Sequence, residues 1–336
     1  MSEFLADYGL FLLKAATVAV LAGFFLVLAR ARQTLVEAGT LEVEPLNERF
    51  EAAADALREQ VWDDTARKAE RKRRRKAGKT RHDEARTRVF VLRFDGDLMA
   101  SAVSSLRHEI TAVLDVARPD RDEVVLVLES PGGVVHGYGL AASQLARLRA
   151  AGLRLTVCVD KVAASGGYMM ACVASEIVAA PFAVIGSIGV VAQIPNVHRL
   201  LKRHAVDVEL LTAGEFKRTL TVLGENTPAG RAKFQQDLDE THGLFKAFVA
   251  EWRPSLDLAR VATGEHWFGR QALTLGLVDT VGTSDDLLRR RAQEAMLLAV
   301  SWTRRRTLAQ RLGLAASEGV DNLLMRWWQR GSRPLP

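Results

Sequence analysis

The sequence predicts an α/β fold. Between Val89 and Val191, short apolar runs of strand length alternate with longer stretches of helical periodicity, which is the pattern of an α/β core. The run at 124–128 is apolar at every position, that at 155–159 at every position but Thr156, and both read as buried strands. With 336 residues the chain is long enough to bury one sizeable core.

From the N-terminus, residues 8–29 form a run of 22 mostly apolar residues in which Lys14 is the one charge, near enough to an end to snorkel. A transmembrane helix is expected. A cleaved signal peptide fits less well, because Glu3 and Asp7 precede the run and Arg30-Ala-Arg32 follows it in place of an Ala-x-Ala site. Leu46, Phe50, Ala53, Leu57 and Val61 then recur at helical spacing behind Pro45, predicting an amphipathic helix. Residues 67–81 hold ten Lys or Arg and one acid, a charge of +9 in a chain whose total is +6. The remainder is therefore acidic, and the basicity belongs to one linker: a solvated tether that also meets the anionic head groups of membrane lipids. Nucleic acid is not an expected partner.

Strands are expected at 88–94, 124–128, 155–159 and 177–180, with helices at 103–116, 140–150 and 229–252. Residues 323–328, Leu-Leu-Met-Arg-Trp-Trp, with Arg326 and Arg330, read equally as an interfacial helix or a packing surface. The chain thus divides into an anchor (1–30), an amphipathic helix and basic linker (31–86), an α/β domain (87–300) and a helical tail (301–336). Cys158 and Cys172 fall in a strand and a helix and give no disulfide framework, so both are expected to be buried, inert thiols.

The stretch Lys161-Val-Ala-Ala-Ser-Gly-Gly-Tyr-Met-Met-Ala171 sets one serine between small residues where a strand turns into a helix. Ser165 is either an approachable nucleophile with backbone N–H groups beside it or a helix N-cap followed by flexible glycines. Upstream, the strand ending at Leu128 runs into Glu129-Ser130-Pro131-Gly132-Gly133, a turn whose glycines permit positive φ and close approach of a peptide. Downstream come Gly186-Ser187-Ile188-Gly189 and Gly214-Glu215-Phe216-Lys217, the latter in no helix or strand pattern.

These motifs, with Gly276-Leu-Val-Asp279, resemble those of the signal peptide peptidases (peptidase family S49) in order and spacing over residues 88–288; a single-length chain with a hydrophobic anchor is most similar to the SohB type. The resemblance implies a ClpP/crotonase-like spiral of ββα units and a membrane-anchored serine endopeptidase of the bacterial inner membrane, working through a Ser/Lys dyad without a cofactor. It places the nucleophile on Ser165, the general base on Lys217 and the lysine-orienting serine on Ser187. The oxyanion donors fall on the N–H of Gly132 or Gly133 and of Gly166. It also implies a homo-oligomer and substrates that are short or unfolded apolar peptides such as signal-peptide remnants.

The chemistry can be argued from the residues themselves. A lysine with an ordinary pKa of about 10.4 is protonated at neutral pH and cannot take a proton from Ser165. Burial lowers a lysine pKa by up to several units, and Phe216, Leu220, Val222 and Leu223 are the expected apolar lining around Lys217. A histidine-based triad fits less well, since the nearest downstream histidine is His198, 33 residues after Ser165. No histidine sits at zinc-like spacing, so no metal is expected. Gly137-Tyr-Gly139-Leu-Ala-Ala142 imitates a dinucleotide fingerprint, but seven residues including Pro131 separate it from the strand end. Tight helix packing is the expected role of Gly137 and Gly139. A non-catalytic scaffold and a dinucleotide-binding enzyme are the alternatives to the peptidase.

Every Lys and Arg outside the apolar run lies C-terminal to it, so the positive-inside rule puts the catalytic domain in the cytoplasm, although the best-known relatives face the other way. A C-terminal alkaline phosphatase fusion is predicted to be inactive in cells and a fluorescent fusion bright; the reverse pair of results would overturn this orientation.

Overall fold

The computed structural model describes residues 39–78 and 87–304. The apolar run at 8–29 and the segment at 323–328 lie outside the described residues. Residues 41–302 form one compact unit. Among the described residues no helix is long and apolar enough to cross a membrane.

In chain order the first elements are β1 (Gly39–Pro45), α1 (Leu46–Val61), α2 (Asp64–Gly78), β2 (Arg88–Asp95), α3 (Val103–Val116), β3 (Glu123–Glu129) and α4 (Val135–Ala150). Next come β4 (Arg154–Val159), β5 (Val162–Ala164), α5 (Gly166–Ala171), β6 (Glu176–Ala179), β7 (Val184–Gly186) and α6 (His198–Arg203). The chain continues through α7 (Pro228–Trp252), α8 (Leu258–Val261), β8 (His266–Phe268), α9 (Gly269–Thr274), β9 (Thr280–Val281), α10 (Ser284–Glu294) and β10 (Met296–Arg304). The expected α/β class is what the structure has.

Seven strands form one sheet in the order β1-β10-β2-β3-β4-β6-β9, and β5-β7-β8 form a second. From β10 to β9 all neighbours run parallel, as strands joined by crossover helices must. The small sheet is mixed, with β5 and β7 parallel and β7 and β8 antiparallel. Phe90, Leu92 and Phe94 pair with Val124, Leu126 and Leu128. Because side chains alternate faces, all six enter the main core with Tyr138, Leu145 and Tyr168. Val89, Val91, Val125, Val127 and Cys158 point the other way and are covered by Leu46, Leu287 and Leu288. With both faces covered, the strands read as continuous apolar runs.

Main-sheet strands are followed at once by strands of the small sheet: β4 by β5, β6 by β7, and β3 by Ser130, which bridges to Ala163. The expected ββα succession is visible in β4-β5-α5. Its consequence is a sharp change of direction after each main-sheet strand, and these turns carry the residues of interest.

Several local expectations need adjusting. α2 is helical where a solvated tether without regular structure was expected; Lys and Arg are good helix formers, and the Arg73–Glu70 pair at 2.9 Å and Arg67–Asp64 add i,i+3 support. α4 begins at Val135, five residues before the expected start. β10 continues to Arg304, past the boundary expected for a helical tail at 300. α1 forms as expected, with Leu46 buried and Leu57 and Val61 exposed. Asn47 clamps it to the sheet by donating to the carbonyls of Ala292 and Ala295, both at 3.0 Å, and accepting from Leu297 N at 2.7 Å. Both cysteines are buried, and burial pushes the Cys158 thiol up to about 12 and raises Cys172 as well. Neither is a nucleophile at neutral pH.

Where the chain enters β2, the fully buried carboxylate of Asp122 accepts from the backbone N–H and guanidinium of both Arg88 and Arg118. Burial alone raises this carboxyl, but the two arginines and the N–H donors outweigh it and hold the group well below the usual carboxylate range. A depressed folded-state pKa gives stability that is fully present above the unfolded value of about 4 and is lost as pH falls toward the lower folded value. Asp122→Asn is expected to lose about 2–4 kcal/mol at pH 7 in denaturant unfolding. Its deficit should shrink as the pH is lowered below about 4; a deficit independent of pH would contradict the account.

Candidate active site

Three turns meet at the carboxyl ends of the strands. The first leaves β3 at Glu129. Ser130 is fully buried, donates its N–H to Val162 O at 2.8 Å and accepts from Ala164 N at 3.0 Å, so the turn is pinned along β5. Gly132 has φ +89°, and a Cβ on it would lie 2.7 Å from both Ala164 O and Ser165 Cβ. A Cβ on Gly133 would lie 2.1 Å from Leu98 O. Only glycine lets this turn lie against the next.

The second turn is Ser165, between β5 and α5. Its φ of 52° and ψ of −119° are costly for a residue with a side chain. The conformation is held by Ser165 N donating to Gly186 O at 2.8 Å and by Met169 N donating to Ser165 O at 3.0 Å. Ser165 occupies the N-cap position, yet its side chain makes no capping hydrogen bond. The N-cap alternative thus leaves the strain without a return.

The third turn follows β7. Gly186 has φ +101° and Ser187 has φ 51°, the latter fixed by Ser187 N donating to Glu265 O at 2.6 Å. Since Gly186 O is the acceptor for Ser165 N, the second and third turns are bonded to each other. The structure therefore gathers Ser165, Gly132, Gly133 and Gly166, with Ser187 one residue beyond the bonded carbonyl.

Of the two glycines offered as oxyanion donors in the first turn, the geometry separates one. Gly132 N already donates to Ser130 Oγ at 3.1 Å. The N–H groups of Gly133 and of Gly166, the first residue of α5, have no acceptor among the described residues. Ser130 Oγ in turn donates to Tyr138 Oη at 2.6 Å, and Tyr138 Oη donates to Asp97 O at 2.8 Å. Neither Ser130 Oγ nor Tyr138 is evident from the sequence; the one signal is a tyrosine between two glycines, read there as packing.

Lys217 is the residue the structure does not bring in. It lies in an exposed turn where Gly214 has φ +97° and Lys217 N donates to Gly214 O at 3.2 Å. The expected apolar lining is not assembled around it: Phe216 is 56% exposed, Val222 43% and Leu223 48%. The reason is the whole segment, since between Gly189 and Thr227 only Gly224 is buried.

Beside the three turns is a cavity of about 310 Å³ lined mainly by Val135, Met169, Val190, Leu244, Phe245 and Phe248. Val135 follows the first turn, Met169 follows Ser165, and Val190 follows the third turn. Gly139 also opens onto it with nothing within 4 Å of a Cβ, so tight packing is the role of Gly137 alone, whose Cβ would lie 2.8 Å from Met99 O. The closing motif serves the scaffold. Asp279 accepts from Ile177 N at 2.7 Å and from Arg253 at 2.8 Å, and Leu277 O accepts from Tyr168 Oη at 2.9 Å. The first two bonds tie this motif to β6 and to Arg253, and the third ties it to the middle of α5.

Known proteins can be compared with this arrangement. The model for peptidase family S49 matches residues 147–298, and that for the family's N-terminal part matches residues 3–145. The chain is 51% identical over 349 aligned residues, 99% of each chain, to a probable protease SohB of Haemophilus influenzae. The chain belongs to peptidase family S49. A second relative, a probable protease SohB of Buchnera aphidicola subsp. Schlechtendalia chinensis, is 47% identical and spans 85% of this chain and 99% of its own. Among solved structures, a substrate-peptide complex of the 1510-N membrane-bound stomatin-specific protease is similar at 12% identity and a TM-score of 0.42, over 70% of this chain and 99% of that one. Membership of family S49 makes this protein a peptidase, a hydrolase of peptide bonds.

Proposed function

We propose that the protein is a membrane-anchored serine endopeptidase in which Ser165 is the nucleophile, Lys217 the general base and Ser187 the residue that orients the lysine. The observation that carries this reading is the strained, uncapped Ser165 beside two N–H groups without an acceptor among the described residues. Strain of this kind persists where a site uses it.

In the proposed cycle the Ser165 hydroxyl attacks the peptide carbonyl carbon while its proton passes to the neutral amine of Lys217. The carbonyl oxygen becomes an oxyanion and accepts from Gly133 N–H and Gly166 N–H. Collapse expels the amine product, which takes the proton from Lys217. Water then gives a proton to Lys217, attacks the acyl carbon and restores the Ser165 hydroxyl. The cycle calls for no metal or cofactor.

A neutral lysine needs an apolar cover, and the exposed Phe216, Val222 and Leu223 do not form one around Lys217 by themselves. The cover is the bound peptide or a second copy of the chain. A homo-oligomer is supported by the apolar surface of this segment, where Val191 is 91% and Leu211 89% exposed. The apolar cavity beside the serine favours short or unfolded apolar peptides, including signal-peptide remnants. The run at 8–29 anchors the chain, and the basic stretch at 67–81 rests against anionic lipid head groups.

Peptide profiling by mass spectrometry tests the roles. Ser165→Ala should abolish cleavage, and turnover above a few per cent would remove the assignment. Lys217→Arg keeps the charge but presents no neutral amine, so it should be as inactive as Lys217→Ala; a wild-type rate would make Lys217 structural. Ser187→Ala should fall by about 10- to 1000-fold.

A further inference from the structure

Tyr138 touches both halves of the arrangement just described. Its ring lies against the start of α5, where a Cβ on Gly166 would fall 2.3 Å from Tyr138 Cγ. Its hydroxyl holds Ser130 Oγ at 2.6 Å, and that oxygen takes the Gly132 N–H at 3.1 Å. The chain of bonds ends on Asp97 O at 2.8 Å, in a loop that also grips the first turn through Val134 N donating to Leu98 O at 2.9 Å. The relay is enclosed: Ser130 and Tyr138 are both fully buried. Gly96 leaves just enough room for it, since a Cβ there would lie 2.4 Å from Ser130 Oγ and 2.5 Å from Tyr138 Oη.

The peptides that carry the Gly132 and Gly133 N–H groups are hinged at Gly132 Cα; the Ser130 Oγ bond holds the first of them, and the second is confined by the close packing of Gly132 on the Ser165 turn and by the Val134 N–Leu98 O bond beyond Gly133. Without Ser130 Oγ, a turn containing two adjacent glycines has many orientations open to it. Oxyanion stabilisation requires donors already aimed at the place where charge develops. A hydroxyl has one proton, and the proton order here is set: Tyr138 gives its proton to a carbonyl, which can only accept, so Ser130 gives its own to Tyr138 and keeps its lone pairs for Gly132. Burial raises the Tyr138 phenol, which keeps it a donor across the working range.

We propose that Tyr138 and Ser130 are positioning residues that aim the Gly133 and Gly166 N–H groups at the oxyanion, Tyr138 bracing one through its ring and the other through its hydroxyl. Neither touches the substrate. The inference rests on the reading of Ser165 as the nucleophile and names what preorganises its oxyanion donors.

The test uses the full-length protein, an apolar peptide substrate, a peptide aldehyde that adds reversibly to Ser165, and the matching peptidyl alcohol, which does not. Tyr138→Phe keeps the ring and removes the hydroxyl. It should lower kcat by about 10- to 100-fold, less than outright loss of a donor, with KM within about twofold. Aldehyde affinity should fall by the same factor as kcat/KM, while the alcohol binds unchanged. Ser130→Ala breaks the same relay at its other hydroxyl and should behave alike, which keeps the test open if one variant does not accumulate. Tyr168→Phe is the control, since it removes an equally buried hydroxyl bonded to Leu277 O at 2.9 Å. It should lower the melting temperature comparably and leave kcat within about twofold. A wild-type kcat in Tyr138→Phe, or an equal loss in Tyr168→Phe, would overturn the inference. If the wild type has no turnover that Ser165→Ala removes, the nucleophile reading itself fails.

Discussion

The active-site region depends on one contact between backbones: the Ser-Pro-Gly-Gly turn lies so close to the Ser165 turn that there is no room for a side chain at Gly132. Gly133 is barred from a side chain by Leu98 O, Gly166 by the Tyr138 ring and Gly167 by Ser130 O. Four glycines are thus spent on proximity, although only Gly132 among them has a positive φ. What proximity achieves is the placing of peptide N–H groups beside a serine hydroxyl, which side chains of any size would prevent.

The contact is held from outside by ordinary means. Parallel strands with both faces buried set the ends of β3, β4 and β6 side by side, and the small sheet ties the turns to one another through Ser130, Ala163 and Gly186. Midway along α5, Tyr168 donates to the buried Leu277 O, and the neighbouring Asp279 is paired with Arg253 at the surface. Strain at Ser165 and Ser187 is maintained because each has its N–H committed to a carbonyl on a neighbouring turn. The Lys217 segment has no comparable support, and its apolar residues face outward.

Much of this was legible in the sequence, for physical reasons that differ by element. Strands β2, β3, β4 and β6 announced themselves as apolar runs, and α3 and α7 by their periodicity, because burial dictates composition. The Ser165 turn was legible because a serine followed by two glycines falls where an apolar strand gives way to a helix. The small sheet was not, since strands of three residues such as β5 and β7 carry no periodicity. Nor was the choice between Gly132 and Gly133, which hangs on the Ser130 hydroxyl, nor the role of Tyr138, whose partner Asp97 is 41 residues away. The helix α2 was hidden behind its charge, which suggested solvation and concealed good helix-forming residues.

The central claim is that Ser165 attacks a carbonyl whose oxygen is received by Gly133 and Gly166. A crystal structure of the protein with a peptidyl boronate measures it directly. The account predicts a bond from boron to Ser165 Oγ and one boronate oxygen about 2.7–3.1 Å from the N–H nitrogens of both Gly133 and Gly166, with Gly132 N still on Ser130 Oγ. Boron on any other residue, or an oxygen bonded to Gly132 N in place of Gly133 N, would contradict it.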